Sequence, residues 1–174
     1  LAHLLANLST SEAKRVCLSE SEWLENDGTN LRILHAHNPG EEWARVSLPQ
    51  GCRMFFPDGG SLLLQDYNSG KDRILAGEID QNHEAYLALE VLRCDVFFVR
   101  RREPGDRFHP LGSPGKRKLK EIFIDAKVPL QVRDRLPIVT DAEGQILWVP
   151  GFAPAEKARV RPDSGRVIRL TYKP

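Results

Sequence analysis

Cationic side chains are concentrated in one short stretch of the sequence, from Arg100 to Lys120. This stretch, RRREPGDRFHPLGSPGKRKLK, carries eight basic and two acidic side chains, a net charge of +6. Like charges placed this closely repel one another unless water solvates them or an anion matches them. Gly112 and Gly115 allow the backbone to approach such an anion and to offer it amide donors. These residues therefore favour the binding of phosphate groups.

Two kinds of phosphate ligand compete for this stretch. A nucleoside triphosphate loop ends in glycine, lysine and a serine or threonine, whereas Arg117 follows Gly115 and Lys116 here. The hydroxyl group that would bind the metal ion is missing, which argues against a small-molecule phosphate enzyme. A nucleic-acid backbone requires only spaced cations and amide donors, which the stretch supplies. A solvated surface loop is the simpler alternative.

The rest of the chain does not share this charge. Residues 1–99 carry 8 basic and 15 acidic side chains, and residues 121–174 carry 9 basic and 7 acidic ones. An acidic half beside a basic stretch also fits an interdomain or protein-interaction scaffold with no direct RNA contact. The chain of 174 residues is 41% hydrophobic and 28% charged, which is typical of a globular protein of one or two units.

No metal site, membrane segment or catalytic group stands out in the sequence. Cys17, Cys52 and Cys94 lie far apart and fit neither a disulfide framework nor paired metal ligands. No apolar run approaches the roughly 20 residues that cross a bilayer, and no secretory signal is visible. We therefore expect a cytoplasmic location, no metal and no catalytic residue. Asp125 has no second carboxylate beside it and is expected to orient a neighbouring side chain.

The first forty-two residues are predicted to be helical. Leucines recur at helical spacing from Leu1 to Leu8, which indicates that the chain begins inside a helix. Two serine-to-glutamate capping boxes, which start at Ser9 and Ser19, predict two short helices in the same region.

From residue 43 onward, short alternating or apolar runs separated by turn residues predict strands. Residues 57–60, Pro-Asp-Gly-Gly, form a strong hairpin signal between two of these strands. Trp148 lies within another strand and is expected to be buried. The predicted strands span residues 53–56, 61–65, 86–89, 96–99, 137–140, 145–149 and 166–172, and a short helix is predicted at 129–136.

The basic stretch leads directly into a predicted helix. Leu119, Ile122, Phe123 and Ala126 form one apolar stripe, which must end before Pro129. Cations at the amino end of a helix oppose its macrodipole, at a cost of a few tenths of a kcal/mol each. We interpret cations in this position as binding an external anion. The predicted fold class is α+β, a mainly antiparallel sheet system with inserted helices.

Several short motifs follow one another from Gly105 to Gly151. They are GDRF at Gly105, GKRKLK at Gly115, FIDAK at Phe123 and ILWVPG at Ile146. In order and spacing, over about fifty residues, they resemble the carboxy-terminal domain of the bacterial tRNA(Ile)-lysidine synthase family.

The resemblance implies a division of the chain and a fold. Residues 43–174 would form the carboxy-terminal tRNA-binding domain, and residues 1–42 the tail of a helical middle domain. The fold would be a β-sandwich-like domain with inserted helices, similar to a domain of the phenylalanyl-tRNA synthetase β subunit.

The resemblance also implies a function. Members of the family use ATP to adenylate the wobble cytidine of isoleucine tRNA, and lysine then displaces AMP to form lysidine. The carboxy-terminal domain grips the acceptor region of that tRNA. The family's catalytic domain carries a Ser-Gly-Gly-x-Asp-Ser pyrophosphate loop, which is absent here. ATP and Mg²⁺ would therefore belong to a separate amino-terminal domain, and we expect this chain to be a fragment of the ligase or a recognition subunit without catalytic activity.

The expected partners are isoleucine tRNA and the amino-terminal catalytic domain, and a homodimer is left open. Arginine can fork onto phosphate oxygens, whereas lysine acts as a point charge. Arg107 could instead pair with Asp106 or Glu103, and Arg133 could pair with Asp134. The predicted phosphate or ribose contacts are Arg100, Arg102, Arg107, Lys116, Lys118, Lys120 and Lys127.

Overall fold

A computed structural model of the chain describes residues 14–19, 22–26, 31–35, 45–56, 60–67, 69–91 and 96–174. The strands are β1 (Lys14–Ser19), β2 (Glu22–Asn26), β3 (Leu31–His35), β4 (Val46–Leu48), β5 (Cys52–Phe55), β6 (Ser61–Tyr67), β7 (Glu84–Ala88), β8 (Phe97–Arg100), β9 (Arg107–Phe108), β10 (Arg117–Lys118), β11 (Ile138–Thr140), β12 (Ile146–Trp148) and β13 (Val167–Lys173). The helices are α1 (Asp72–Leu75), α2 (Leu119–Asp125) and α3 (Leu130–Arg133), with 3-10 turns at Leu89–Val91 and Glu156–Ala158.

Two sheets contain most of these strands. A seven-stranded sheet has the order β1-β2-β3-β5-β6-β13-β7, and its neighbours are antiparallel except for the parallel pair β3 and β5. A four-stranded antiparallel sheet has the order β12-β11-β8-β4. Strands β9 and β10 form a separate two-stranded ribbon. The predicted α+β class with mainly antiparallel strands is confirmed.

The two sheets pack against each other around the main core. Met54, Leu64 and Leu170 come from the seven-stranded sheet, and Phe97 and Trp148 from the four-stranded one. All five side chains are at most 2% exposed, and burial of each stabilises the fold by roughly 1.5–3 kcal/mol. This layered packing is the sandwich-like arrangement that the family resemblance implied, and the predicted burial of Trp148 is confirmed.

Helix α2 covers the outer face of the four-stranded sheet. Its buried residues are Leu119, Ile122 and Phe123, as the apolar stripe predicted. They form a second core cluster with Ile138 of β11 and Ile146 of β12. Because apolar groups cover both faces of this sheet, β11 and β12 are buried at every position. The helix that follows the basic stretch is thus fixed to the sheet through its apolar side.

Three segments near the amino end are strands, which corrects the predicted short helices. Strands β1, β2 and β3 pair in sequence order, and β3 continues the sheet onto β5. The capping box at Ser19 and Glu22 does not begin a helix, since these two residues are partners in the antiparallel pair of β1 and β2. A short polar signal of this kind suits turns as well as helix starts, and sheet pairing decides between them. Residues 1–13 lie outside the described residues, and the boundary at residue 42 stays a prediction.

The remaining predicted elements lie close to their expected positions. The strands predicted at 53–56 and 61–65 are observed as β5 and β6, and the helix predicted at 129–136 shortens to the single turn of α3. Helix α2, the longest described helix, has seven residues, and no described helix is long and apolar enough to cross a bilayer.

Candidate nucleic-acid interface

Arg100, the last residue of β8, is directed into the protein. Its side chain is 7% exposed, and its two terminal nitrogens donate to both carboxylate oxygens of Asp106, at 2.7 and 3.0 Å. Hydrogen bonding to Asp106 raises the pKa of Arg100. A guanidinium group engaged in this bidentate pair is not presented to an external phosphate. We therefore reassign Arg100 from a predicted phosphate contact to a structural role.

Asp106 also organises the loop that precedes β9. Its carboxylate accepts a hydrogen bond from the backbone N–H of Glu103 at 2.8 Å. Its carbonyl accepts one from the N–H of Leu119, the first residue of α2, at 2.8 Å. Asp106 therefore joins the end of β8, the 103–106 loop and the start of α2, and it fixes the position of Arg107, the next residue.

Two other arginines of the basic stretch pair with carboxylates. Arg102 pairs with Asp134, and Arg117 pairs with Asp125. The hydrogen bond that Arg117 donates to Asp125 raises the pKa of Arg117, and the prediction that Asp125 orients a neighbour is confirmed. Arg133, which could have paired with Asp134, donates to a backbone carbonyl instead. The protein thus neutralises part of the basic stretch with its own acidic side chains.

A second group of cations is exposed and forms no ion pair with a carboxylate in the described part of the chain. Across the β9–β10 ribbon, Arg107 lies directly opposite Lys118, and one Arg107 nitrogen is 3.4 Å from the carbonyl oxygen of Lys116. Directly opposed like charges destabilise a strand pair. An anion placed over the ribbon would relieve that repulsion. The group, called the outer cations below, comprises Arg107, Lys116, Lys118, Lys120 and Lys127.

Lys127 has a backbone conformation that normally favours glycine. Its φ is 53°, the one positive value among the described non-glycine residues. The N–H groups of Lys127 and Val128 donate to the carbonyls of Ile124 and Phe123, at 2.9 Å each, in the hydrogen-bond pattern of a Schellman motif. A side chain in this left-handed position costs about 1 kcal/mol relative to glycine. The lysine is therefore retained at a cost to folding.

Apolar surface lies among the outer cations. Ile124 of α2 is 49% exposed, between Lys120 and Lys127 in the sequence, and Leu130 of α3 is 64% exposed. A surface that combines ammonium groups with aliphatic side chains can contact both phosphates and sugars.

Glu156, which sequence analysis did not identify, binds the backbone of the segment that contains Gly112. The Glu156 carboxylate accepts a hydrogen bond from Gly112 N–H at 3.0 Å and pairs with Arg159 at 2.7 Å. Hydrogen bonds, first from Arg159 and then from Gly112, lower the pKa of Glu156 to about 2. The expectation that the Gly112 amide is available to an anion is wrong because the protein's own carboxylate occupies it. No local pattern indicated a partner forty-four residues away.

Comparison with known proteins identifies the family of this chain. The family model described as the TilS substrate C-terminal domain matches residues 97–170, which include all the outer cations. A crystal structure of a TilS C-terminal domain aligns with a TM-score of 0.60 and 34% identity, over 75% of this chain and 95% of that chain. This chain belongs to the TilS C-terminal domain family.

Full-length relatives match the same region of this TilS C-terminal domain. The tRNA(Ile)-lysidine synthases of Geobacillus kaustophilus and Bacillus subtilis are 49% and 48% identical over 75 and 76 residues. Each match covers 43% of this chain and 16% of the relative, so the chain spans about a sixth of the length of these proteins. A fragment of the phenylalanyl-tRNA synthetase β subunit from Pyrococcus horikoshii aligns with a TM-score of 0.44 and 18% identity, too distant to add to the assignment.

The described residues bring no metal site together. No group of three or more histidine, cysteine, aspartate or glutamate side chains in the described ranges could hold a metal ion. Cys52 is buried and free, and burial raises the pKa of its thiol.

The internal role of Asp106 can be tested by replacing it with asparagine. Asp106→Asn leaves the buried Arg100 cation without its charged partner, and we expect the free energy of unfolding to fall by about 3 kcal/mol. Denaturant titration measures this loss. Asp125→Asn makes the same substitution in an exposed ion pair and should have a much smaller effect. Equal losses in the two variants would contradict the structural role of Asp106.

The backbone cost at Lys127 can be tested by its replacement with glycine. We expect Lys127→Gly to raise the free energy of unfolding by up to about 1 kcal/mol, because glycine adopts positive φ without strain. Lys120→Gly is the matched control, since it places glycine inside α2 and should destabilise by about 1 kcal/mol. Thermal melting of both variants distinguishes the two positions. If Lys127→Gly lowers the melting temperature, the claim that Lys127 is strained by its positive φ is wrong.

The Glu156 contacts predict a specific pH dependence. The pKa of Glu156 is about 2 in the folded chain against an ordinary value of 4.5, so its contribution is complete above pH 4.5 and is lost as the pH falls towards 2. We expect Glu156→Gln to be less stable than the parent chain at neutral pH. The gap in melting temperature should narrow steadily below pH 4.5. A gap that stays constant down to the acid limit would contradict this assignment.

Proposed function

We propose that this domain binds isoleucine tRNA on behalf of a tRNA(Ile)-lysidine synthase, with the outer cations placed against the sugar-phosphate backbone. The observation that carries the proposal is the contrast within the basic stretch. Arg100, Arg102 and Arg117 pair with carboxylates, whereas the outer cations are exposed and form no such pair within the described residues. Phosphates supply the missing counter-charge and require no particular base sequence.

Two local costs support an external anion. Arg107 and Lys118 repel each other across the ribbon, and Lys127 occupies a position that favours glycine. A bound phosphate would relieve the repulsion between Arg107 and Lys118 directly. Its attraction for the Lys127 ammonium group would offset the backbone strain at that residue. A surface that is only solvated gains nothing from opposed cations across the ribbon or from a lysine at positive φ. Arg102 remains a proposed secondary contact, because its pair with Asp134 is partly exposed and can exchange partners.

The remaining steps of the reaction would take place on other parts of the enzyme. We propose that the parent ligase has an amino-terminal domain that holds ATP and Mg²⁺ and converts the wobble cytidine to lysidine. The domain described here would grip the acceptor region, so its contribution is affinity and positioning, in the cytoplasm. We assign it no catalytic residue.

Salt dependence of tRNA binding tests the proposal. Each phosphate contact adds about 0.7–0.9 to the slope of log affinity against log salt. We expect Lys116→Ala with Lys120→Ala to reduce the slope for isoleucine tRNA by about 1.5 in filter-binding titrations. The control is Arg161→Ala with Lys173→Ala, which removes two exposed cations outside the outer group and should leave the slope nearly unchanged.

Two results would overturn the proposal. An unchanged slope in the Lys116 and Lys120 variant would show that these side chains do not meet phosphates. Failure to retain tRNA at any salt concentration, together with salt-sensitive self-association in light scattering, would favour the interaction scaffold that makes no RNA contact.

A further inference from the structure

A cleft of about 570 Å³ opens beside Arg107. It lies between the 103–106 loop and the 143–146 turn that joins β11 to β12. This volume falls within the range of about 300–1,000 Å³ that is typical of small-ligand sites. One of the outer cations, Arg107, therefore lines a recess.

Buried or well-anchored contacts hold both walls of the cleft. The Arg100–Asp106 pair fixes the loop wall. In the turn wall, the Asp141 carboxylate accepts a hydrogen bond from Gln145 N–H at 2.8 Å. Arg45 donates to the carbonyls of residues 141 and 142, at 2.7 and 2.6 Å, while its guanidinium lies 3.9 Å from the centre of the Phe98 ring. The recess is therefore formed before any ligand enters.

The cleft lining contains the carboxylates of Glu103, Asp106 and Glu143 as well as three arginines. Lys157 donates to the side-chain oxygen of Gln145 at 3.2 Å, which leaves the Gln145 amide nitrogen to donate to Glu143 at 3.1 Å. Glu143 thus keeps further acceptor capacity, since an ionised carboxylate accepts several hydrogen bonds. Glu103, on the opposite wall, is 66% exposed and its carboxylate is 3.8 Å from Arg100. Two of the lining arginines are already engaged, Arg45 by backbone carbonyls and Arg100 by Asp106. Glu103 and Glu143 therefore remain as acceptors in the lining, beside the Arg107 cation.

Carboxylates repel a phosphate and accept hydrogen bonds from amino groups. We propose that the cleft receives one unpaired nucleotide of the bound RNA, with the base directed at Glu143 and the adjoining phosphate at Arg107. Adenine, cytosine and guanine carry an exocyclic amino group, on C6, C4 and C2 respectively, whereas uracil carries only carbonyl oxygens outside its ring. The cleft therefore favours the three amino-bearing bases. The inference depends on the proposed RNA binding and adds base selectivity to it.

RNA hairpins that differ in one nucleotide test the inference. The stem is kept constant, and a single A, C, G or U is added as a bulge or as an overhang, with a fully paired hairpin as reference. We expect A, C and G to bind about tenfold more tightly than U in at least one geometry, the gain from one hydrogen bond to a charged group. Glu143→Gln removes the negative charge and replaces one of the two acceptor oxygens with an NH₂ donor, and it should abolish this tenfold preference.

The control for the charge change is Glu78→Gln, an exposed position outside the cleft, which should keep the preference. Equal binding of all hairpins by the parent chain would overturn the cleft assignment and leave backbone binding intact. A preference that persists in Glu143→Gln would overturn the role of Glu143. Failure to bind any hairpin or tRNA would instead remove the proposed function itself.

Discussion

The ion pair between Arg100 and Asp106 is the contact on which the basic surface depends. It connects the end of a core strand to a loop, and the same aspartate accepts a hydrogen bond from the first residue of α2. The ribbon and the helix that display the outer cations are therefore anchored through one aspartate, by its carboxylate on Arg100 and its backbone carbonyl on Leu119. A surface of mutually repelling charges requires such an anchor, because repulsion would otherwise favour open conformations of the loop.

Most arginines and lysines of the basic surface differ in their contacts. Arginines 100, 102 and 117 form ion pairs with aspartates, as suits a planar group with several fixed donors. The four lysines among the outer cations are exposed, and each presents a compact charge on a long aliphatic stem. Arg107 is the exception, since it is exposed and lies between the ribbon and the cleft. Net charge alone would have assigned all these side chains to one function.

The sequence predicted features that depend on residues close together in the chain better than features that depend on contacts between distant segments. The apolar stripe of Leu119, Ile122 and Phe123 is local, so α2 was predicted correctly. The capping box at Ser19 is equally local, but the pairing of β1 with β2 and onward into the sheet overrode it. The partners of Arg100 and Gly112 depend on loop closure and long-range contacts, which residue spacing does not reveal. The contact between Arg45 and the carbonyl of residue 141 spans ninety-six positions and gave no signal at all.

The separation of paired arginines from exposed lysines has a consequence for how recognition can change. Side chains that contribute little to folding can be replaced with little loss of stability, whereas replacement of one partner of the anchoring pair is strongly destabilising. A library of variants randomised only at the exposed lysines would therefore consist mostly of folded proteins. Selection from such a library could yield domains that bind a chosen polyanion while their hydrophobic layers stay unchanged.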